Sequence, residues 1–250
     1  MATPSARHRW RAGLFRVAVA ALFPVQGRAQ EVEAGWEGGA VSGYAFARPA
    51  VRIGPDGRHA LILFATGSYL YYHFPGRGGS TRVTSPGIGG ALGYRLSTET
   101  VTATLGVGYE VRRTLQRSDN QALAQRFASR FRERGVTLEG DASIEPSPGT
   151  ELTALVSWTG SDRYRWARAG FSRRLSGSHR DAALALRLGL DGTAQGNADV
   201  RELQAGAVFV LELLHTDASL ELRSGLSRVR YTGAPAESRP YAGVTVYRAF

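Results

Sequence analysis

The sequence predicts an all-β protein, an antiparallel transmembrane β-barrel of about twelve strands that follows a cleaved signal peptide. Three observations predict this fold. Apolar residues alternate with small or polar residues over long segments, the last residues form a strand that ends on the aromatic Phe250, and the first residues have the layout of an export signal. A closed barrel satisfies all its backbone hydrogen bonds within the sheet, as strands in lipid require.

Period-two alternation is the main evidence for strands. Over residues 101–111, Leu105 and Val107 share one face, and Thr104 and Glu110 share the other. A soluble β-sandwich also alternates, but its strands are usually nearer five or six residues. Longer segments with a continuous apolar face fit a tilted membrane span. After the N-terminal region no run of about 18 apolar residues occurs, which excludes helical spans.

The number of strands depends on how the region before residue 59 is divided. The other segments predicted as strands are 59–74, 82–95, 100–114, 134–145, 151–160, 163–174, 182–190, 201–214, 218–230 and 241–250. Bacterial single-chain barrels have an even number of strands. Splitting residues 32–48 at a hairpin on Gly38-Gly39 gives twelve strands, with ten as the alternative.

Both ends of the chain predict export to the outer membrane. Residues 1–16 are rich in arginine, residues 17–25 are apolar, and small residues precede a cleavage site near Ala29. This layout predicts a signal peptide over 1–29 and a barrel over 30–250. The final strand, Tyr241 to Phe250, resembles the C-terminal signal of bacterial outer-membrane barrels. The expected location is therefore the outer membrane of a Gram-negative cell.

The connections between strands are expected to be short on the periplasmic side and longer outside. The longest, residues 115–133, loses the alternation. Within it Leu123, Phe127 and Phe131 recur at intervals of four, which predicts a short helix near 118–132 in an outer loop. Its basic face would consist of Arg126, Arg130 and Arg132 and would meet anionic surface sugar or lipid phosphate. The alternative is a solvated loop without a helix.

Composition excludes several classes of function. The formal net charge is +10, but five of the arginines lie in residues 1–29, and the others are scattered along alternating segments. Nucleic acid is therefore not an expected partner. The chain has no cysteine, so disulfides and thiolate metal sites are excluded. No cluster of histidines and acids has metal-ligand spacing, so we expect no metal and no cofactor.

Charged residues on the polar faces of the strands predict a charge network in the lumen. Cross-strand ion pairs would fill much of a narrow interior and would favour a partly closed barrel over a wide pore. The residues assigned to this network are Glu110, Arg112, Glu139, Asp141, Arg187, Glu202, Glu212, Glu221 and Arg223.

The chain resembles the BcsS family of cellulose-biosynthesis proteins. The resemblance is a pattern of glycine, aromatic and turn positions over nearly all of the mature chain: Gly43-Tyr44-Ala45-Phe46 with Pro49 and Asp56-Gly57, Tyr69-Leu70-Tyr71-Tyr72, the strand Gly87 to Tyr94, Gly135 to Glu145 with Pro146-Ser147-Pro148, and Trp158 to Gly170 with Tyr164, Trp166 and Arg168. It implies an outer-membrane role in making, exporting or anchoring cellulose. The implied partners are outer-membrane lipid, cellulose chains and other cellulose-secretion components.

Aromatic residues near the outer strand ends are the best candidates for glucan contact, because the apolar faces of sugars pack on aromatic rings. The alternative is the interfacial aromatic girdle of any membrane barrel. Tyr69 and Tyr71 alternate with Leu70 and Tyr72, so one of the two pairs must face inward. The candidates are Tyr69, Tyr71, Tyr72, Trp158, Tyr164, Trp166 and Tyr231.

The expected function is that of a non-enzymatic barrel that assists the export or surface attachment of cellulose. An alternative is a barrel enzyme acting on lipid A or glycan, for which His73 with Ser80 and Asp162 would have to converge. A general diffusion porin is a weaker alternative. No catalytic residue is assigned.

Overall fold

The protein is described by a computed structural model that covers residues 31–39, 42–53, 58–76, 79–118, 130–161, 163–177, 183–233 and 235–250. Over these residues it is an all-β, closed antiparallel barrel of twelve strands. Among the described residues, no helix is long and apolar enough to cross a membrane. The predicted signal peptide, residues 1–29, lies outside the described residues.

The strands follow one another around the barrel in chain order. Their bounds are β1 Glu31–Gly38, β2 Ser42–Ile53, β3 His59–Gly76, β4 Gly79–Ser97, β5 Val101–Ser118, β6 Arg130–Ser147, β7 Thr150–Thr159, β8 Tyr164–Ser176, β9 Leu184–Gly196, β10 Val200–Leu213, β11 Ala218–Tyr231 and β12 Glu237–Ala249.

Closure is made by the first and last strands. β1 pairs with β12 from Glu31 opposite Ala249 to Gly38 opposite Ala242. β1 also pairs with β2 along its whole length, and the connection between them begins at Gly39, whose N–H donates to the Ser42 carbonyl at 2.8 Å. The region is therefore divided into two strands as predicted, and the prediction of twelve strands is confirmed, but Gly38 itself belongs to β1 and pairs with Gly43, so the connection follows it at residues 39–41. Closure removes the free edges that would otherwise expose unpaired backbone groups.

The two faces of the sheet are inverted relative to a soluble protein. The outward face is apolar: Leu105 is 72% exposed and Ile88 70%. The inward face is polar and charged, and it includes the buried Arg187 and Asp191. Every aspartate and glutamate of the twelve strands occupies an inward position. This inversion is the pattern of a barrel whose exterior meets hydrocarbon.

The two rims of the barrel differ. The terminal rim is the one at which β1 begins and β12 ends, and its connections between strands span two to seven residues, the longest being residues 177–183. The opposite rim, here called the loop rim, has the longest connection, residues 119–129. Longer loops on one side are typical of outer-membrane barrels.

The strands reach further towards the loop rim than the sequence predicts. β3 runs to Gly76 and β4 starts at Gly79, so the loop expected over residues 75–81 is mostly strand. Ser118 ends β5 and Arg130 opens β6, so both ends of the helix expected near 118–132 are strand instead. Ladder pairing continues beyond the apolar band because two adjacent chains can keep exchanging backbone hydrogen bonds there. Residues 119–129, with Leu123 and Arg126, lie outside the described residues.

A small apolar core fills the lumen towards the terminal rim. It consists of Ala50, Ala60, Ile62, Phe64 and Ala91. The Phe64 ring has room because Gly93 and Gly106 face it: a Cβ on Gly106 would lie 2.9 Å from Phe64 Cζ. Charged and polar side chains occupy the part of the lumen that this apolar core does not fill.

Candidate functional site

The structure places every residue of the expected lumen charge network on an inward-facing position. They lie on β5 and β6 and on β9 to β11. Glu110 accepts hydrogen bonds from Arg112 Nη2 at 2.8 Å and from Ser68 Oγ at 3.1 Å. Gly87 leaves the space for this group, since a Cβ there would lie 2.4 Å from Glu110 Oε1.

An ion pair between Glu37 and Arg168 spans the lumen. Glu37 is on β1 and Arg168 on β8, four intervening strands away in the shorter direction around the barrel. Arg168 Nε also lies 3.5 Å from Asp191 Oδ2 and donates to Thr193 Oγ1 at 2.9 Å. Both side chains of the pair are largely withdrawn from solvent, so the charges interact strongly.

Arg223 on β11 extends this cluster. Its Nε lies 3.3 Å from Asp191 Oδ2, and its guanidinium also pairs with Glu221. The Tyr241 hydroxyl donates to Asp191 Oδ1 at 3.2 Å. Asp191 is thus held by two arginines and a tyrosine, which offsets the cost of burying its charge.

A second ion pair spans the lumen nearer the terminal rim. Arg48 on β2 contacts Glu139 on β6 at 3.2 Å and its neighbour Glu33 on β1 at 3.1 Å. Its guanidinium also lies over the Phe64 ring, 5.2 Å from the centroid. Arg48 therefore joins the charge network to the apolar core.

Further ion pairs line the lumen between these bridges and the terminal rim. Arg95 on β4 makes a two-pronged contact with Glu31 on β1. Arg187 lies between Glu212 at 2.7 Å and Glu151 at 3.3 Å, and Arg174 shares Glu212 at 3.2 Å. Each guanidinium has a carboxylate on another strand, so the pairs cross-link the wall.

Several members of the network are absent from the sequence-based assignment. These are Glu31, Glu33, Glu37, Arg48, Arg95, Glu151, Arg168 and Arg174. The glutamates of β1 carry a usable signal, because residues 31, 33 and 37 share one strand parity. Their partners carry none, since the strands that face each other across a barrel depend on its closure and tilt.

The aromatic candidates divide between the two faces. Tyr69, Tyr71 and Trp158 occupy outward positions, so they belong to the exterior surface and not to the lumen. Their level, close to the loop rim, is that of an interfacial aromatic girdle. Tyr72, Tyr164, Trp166 and Tyr231 occupy inward positions close to the same rim; this set is called the mouth aromatics below.

The mouth aromatics sit directly above the charge network. The Arg168 guanidinium lies over the Trp166 ring, with its Cζ 4.9 Å from the ring centroid. The Tyr164 hydroxyl donates to Gln195 at 3.0 Å, and Gln195 donates to Glu202 at 2.9 Å. The mouth therefore combines half-buried rings with amide and carboxylate groups that can hydrogen-bond a sugar hydroxyl.

The remaining candidates lie elsewhere. Arg132 is exposed on the outward face of β6, and Arg130 opens that strand, so neither belongs to a helical basic face; Arg126 lies outside the described residues. His73 is also outward and accepts a hydrogen bond from Arg82 Nε at 3.1 Å. Asp162, its suggested acidic partner, is outside the described residues.

No group of acids and histidines in the described part of the chain has the arrangement of a metal site.

A family model described as cellulose biosynthesis protein BcsS matches residues 27–250. No curated protein matches the chain in sequence.

Solved structures with a similar fold are bacterial outer-membrane barrels. The β domain of the Bordetella autotransporter BrkA has a TM-score of 0.52 at 13% identity, with 88% of this chain and 97% of that chain covered. The translocator domain of NalP from Neisseria meningitidis has a TM-score of 0.50 at 13% identity, covering 98% and 96%. The transport unit of AIDA-I from Escherichia coli has a TM-score of 0.50 at 9% identity, covering 96% and 97%. At these identities the likeness concerns the fold alone.

Proposed function

The chain belongs to the family of cellulose biosynthesis protein BcsS, and we propose that it is a non-enzymatic outer-membrane barrel that holds cellulose at the cell surface. In this proposal the polymer does not pass through the lumen. The glucan contacts the mouth aromatics from outside, and other components of the secretion system deliver it.

The orientation follows from the rims. The terminal rim, whose connections do not exceed seven residues, faces the periplasm, and the loop rim, which carries the eleven-residue connection 119–129, faces the exterior. The apolar outward surface of the strands lies in the hydrocarbon layer of the outer membrane. The mouth aromatics are then presented to the cell surface, where an exported polymer emerges.

The observation that carries the proposal is the obstruction of the lumen by the pairs Glu37–Arg168 and Arg48–Glu139. A conducting pore for a polysaccharide needs an unobstructed path along its axis. Here, side chains from strands with three and with four strands between them meet across the lumen, and an open path would require both of these ion pairs to separate. The same obstruction argues against a general diffusion porin.

The mouth aromatics supply the chemistry for binding. Cellulose is uncharged, and the axial hydrogens of its glucose units make apolar faces that pack on aromatic rings. Trp166 is the strongest candidate, because Arg168 holds its ring in place. Gln195 and Glu202 lie within reach of hydroxyl groups of a sugar stacked there.

A pair of matched tryptophan variants tests the proposal. Trp166 faces inward at the mouth, and Trp158 faces outward at a similar level on the adjacent strand. In cells that make cellulose, Trp166→Leu should reduce surface-retained polymer, while Trp166→Phe should preserve most of it and Trp158→Leu should have no effect. With purified protein, Trp166→Leu should weaken cello-oligosaccharide binding about threefold to tenfold, as expected for one lost stacking contact.

Each variant must first migrate as a heat-modifiable barrel, which shows that it is folded. Equal retention in Trp166→Leu and Trp158→Leu cells would contradict the proposed role of the mouth. Release of fatty acid from lipid A, or of sugar from glucan, by the purified wild-type barrel would favour the enzymatic alternative instead.

A further inference from the structure

Arginines are sorted by the two faces of the barrel wall. In the described part of the chain, all arginines that form ion pairs face inward. Exposed arginines also occupy outward positions near the loop rim. They form two groups: the β4–β6 arginine patch, Arg82, Arg113, Arg117, Arg132 and Arg134, and the β8–β11 arginine patch, Arg165, Arg201, Arg228 and Arg230.

Six of these nine outward arginines form three directly opposed pairs, and none of the nine is the register partner of an acid. Arg82 is the register partner of Arg117, and Arg113 is the partner of Arg132. On the other side of the barrel, Arg201 is the partner of Arg230. Directly opposed side chains on one face have Cβ atoms about 5 Å apart, and like charges there destabilise the sheet. No aspartate or glutamate of the twelve strands lies on this face, so within the strands the repulsion has no carboxylate to offset it.

The level of the patches is set by the end of the apolar band. On β5, outward residues are apolar through Val111, and the next outward residue is Arg113. On β6, Val136 is the last apolar outward residue before Arg134. β10 and β11 repeat this order, with Leu203 before Arg201 and Leu226 before Arg228. The guanidinium groups therefore lie where hydrocarbon gives way to headgroups.

We propose that the two arginine patches bind the phosphate groups of the phosphorylated glycolipid, lipopolysaccharide, that forms the outer leaflet. The proposal rests on the proposed orientation, in which the loop rim faces the exterior. A phosphate placed between Arg113 and Arg132 converts a repulsive pair into two charge-assisted contacts, and the planar guanidinium can bind its oxygens in a bidentate manner. Uncharged cellulose offers no such group, so the patches serve a different ligand from the mouth aromatics.

The side chain of arginine is also suited to the border between hydrocarbon and headgroups. Its long apolar stem can lie along the outward apolar surface while the charged end reaches the headgroups. Trp158, outward on β7 between the two patches, supplies an interfacial ring at a similar level. The patches and the ring together would hold a shell of glycolipid around the outer half of the barrel.

The test compares binding of lipopolysaccharide and of chemically dephosphorylated lipopolysaccharide to the purified full barrel in detergent. The patch variant is Arg113→Gln with Arg132→Gln. The matched control is Arg173→Gln with Arg248→Gln, which removes two outward arginines towards the terminal rim. We expect the patch variant to lose at least about tenfold in affinity, as for lost charge-assisted contacts, and the control to bind like the wild type.

Thermal stability gives a second readout. Lipopolysaccharide should raise the unfolding temperature of the wild type and the control, because it binds the folded state, and should raise that of the patch variant less. Without lipid, the patch variant should be at least as stable as the wild type, since a like-charge pair has been removed.

Equal affinity for the dephosphorylated lipid, or equal losses in the patch and control variants, would overturn the proposal. The proposal would also be overturned if the purified barrel bound an acidic protein or an acidic polysaccharide to saturation but did not bind lipopolysaccharide to saturation. This experiment uses no cellulose, so its failure leaves the cellulose-retention assay with Trp166 unaffected, and the reverse is also true.

Discussion

Glu37 on β1 and Arg168 on β8 form an ion pair that ties together two walls of the barrel separated by β9 to β12. The two side chains are 14% and 8% exposed. A carboxylate and a guanidinium so withdrawn from water stabilise each other, and removing either one leaves the other with only a longer contact, Arg168 with Asp191 at 3.5 Å or Glu37 with Arg223 at 4.0 Å. The pair also fixes the position of β1, the strand on which closure of the barrel depends.

Neutralising Glu37 should destabilise the folded barrel. We expect Glu37→Gln to lower the free energy of unfolding by about 2 kcal/mol, because Arg168 would lose its nearest carboxylate and keep only the longer contact with Asp191 in a partly dry interior. Urea unfolding in lipid vesicles measures this. The control is Glu237→Gln at the loop rim, where the carboxylate is 48% exposed and its pair is worth about 0.5 kcal/mol or less. Similar losses of unfolding free energy in the two variants would show that the Glu37–Arg168 pair stabilises the barrel no more than an exposed ion pair does.

The obstructed lumen predicts a barrel of low ion conductance that mutation can open with a defined charge preference. In planar bilayers, the wild type should conduct weakly. Replacing both bridging arginines, Arg48→Ala with Arg168→Ala, should raise conductance and favour cations, because Glu37, Glu139 and Asp191 remain. Glu37→Ala with Glu139→Ala should raise conductance and favour anions. A large, unselective conductance in the wild type would contradict this description of the lumen.

Two glycines test the packing of the core. A Cβ on Gly106 would lie 2.9 Å from Phe64 Cζ inside the lumen, whereas a Cβ on Gly67, which faces outward on β3, would meet nothing within 4 Å. Gly106→Val should therefore cost about 1–3 kcal/mol of stability through overpacking. Gly67→Val should be neutral or stabilising, since valine favours strands. Unfolding curves that rank the two variants in the opposite order would refute this packing.

The absence of cysteine from the chain allows a clean test of orientation. Ala236→Cys lies at the exposed loop rim and His215→Cys in an exposed turn of the terminal rim. On intact cells, an impermeant maleimide should label the first variant only, and permeabilising the outer membrane should expose the second. Labelling of the His215→Cys variant on intact cells would reverse the proposed orientation and place the arginine patches in the inner leaflet, where they could not bind lipopolysaccharide.

Strand identity and face could be read from local alternation. In residues 184–191, leucines take alternate positions and Arg187 and Asp191 take the others, and the structure places the leucines outward and the charges inward. The division of the first region into β1 and β2 could also be predicted, because bacterial barrels have an even number of strands. The pairing of β1 with β12 could be predicted because a closed sheet leaves no free edge. Local pattern is sufficient here since the side-chain period of a strand does not depend on its neighbours.

Contacts across the lumen required the folded barrel. Nothing in the neighbourhood of Glu37 identifies Arg168 as its partner, and nothing near Arg48 identifies Glu139, because strand tilt and stagger on closure determine which side chains meet. The register pairs Arg82–Arg117 and Arg113–Arg132 likewise depend on where β4, β5 and β6 align. Ladder pairing past the apolar band, which extended these strands where a helix or loop was expected, brings those arginines together. Sequence alternation thus assigns each residue to a face, and closure of the sheet assigns it a partner.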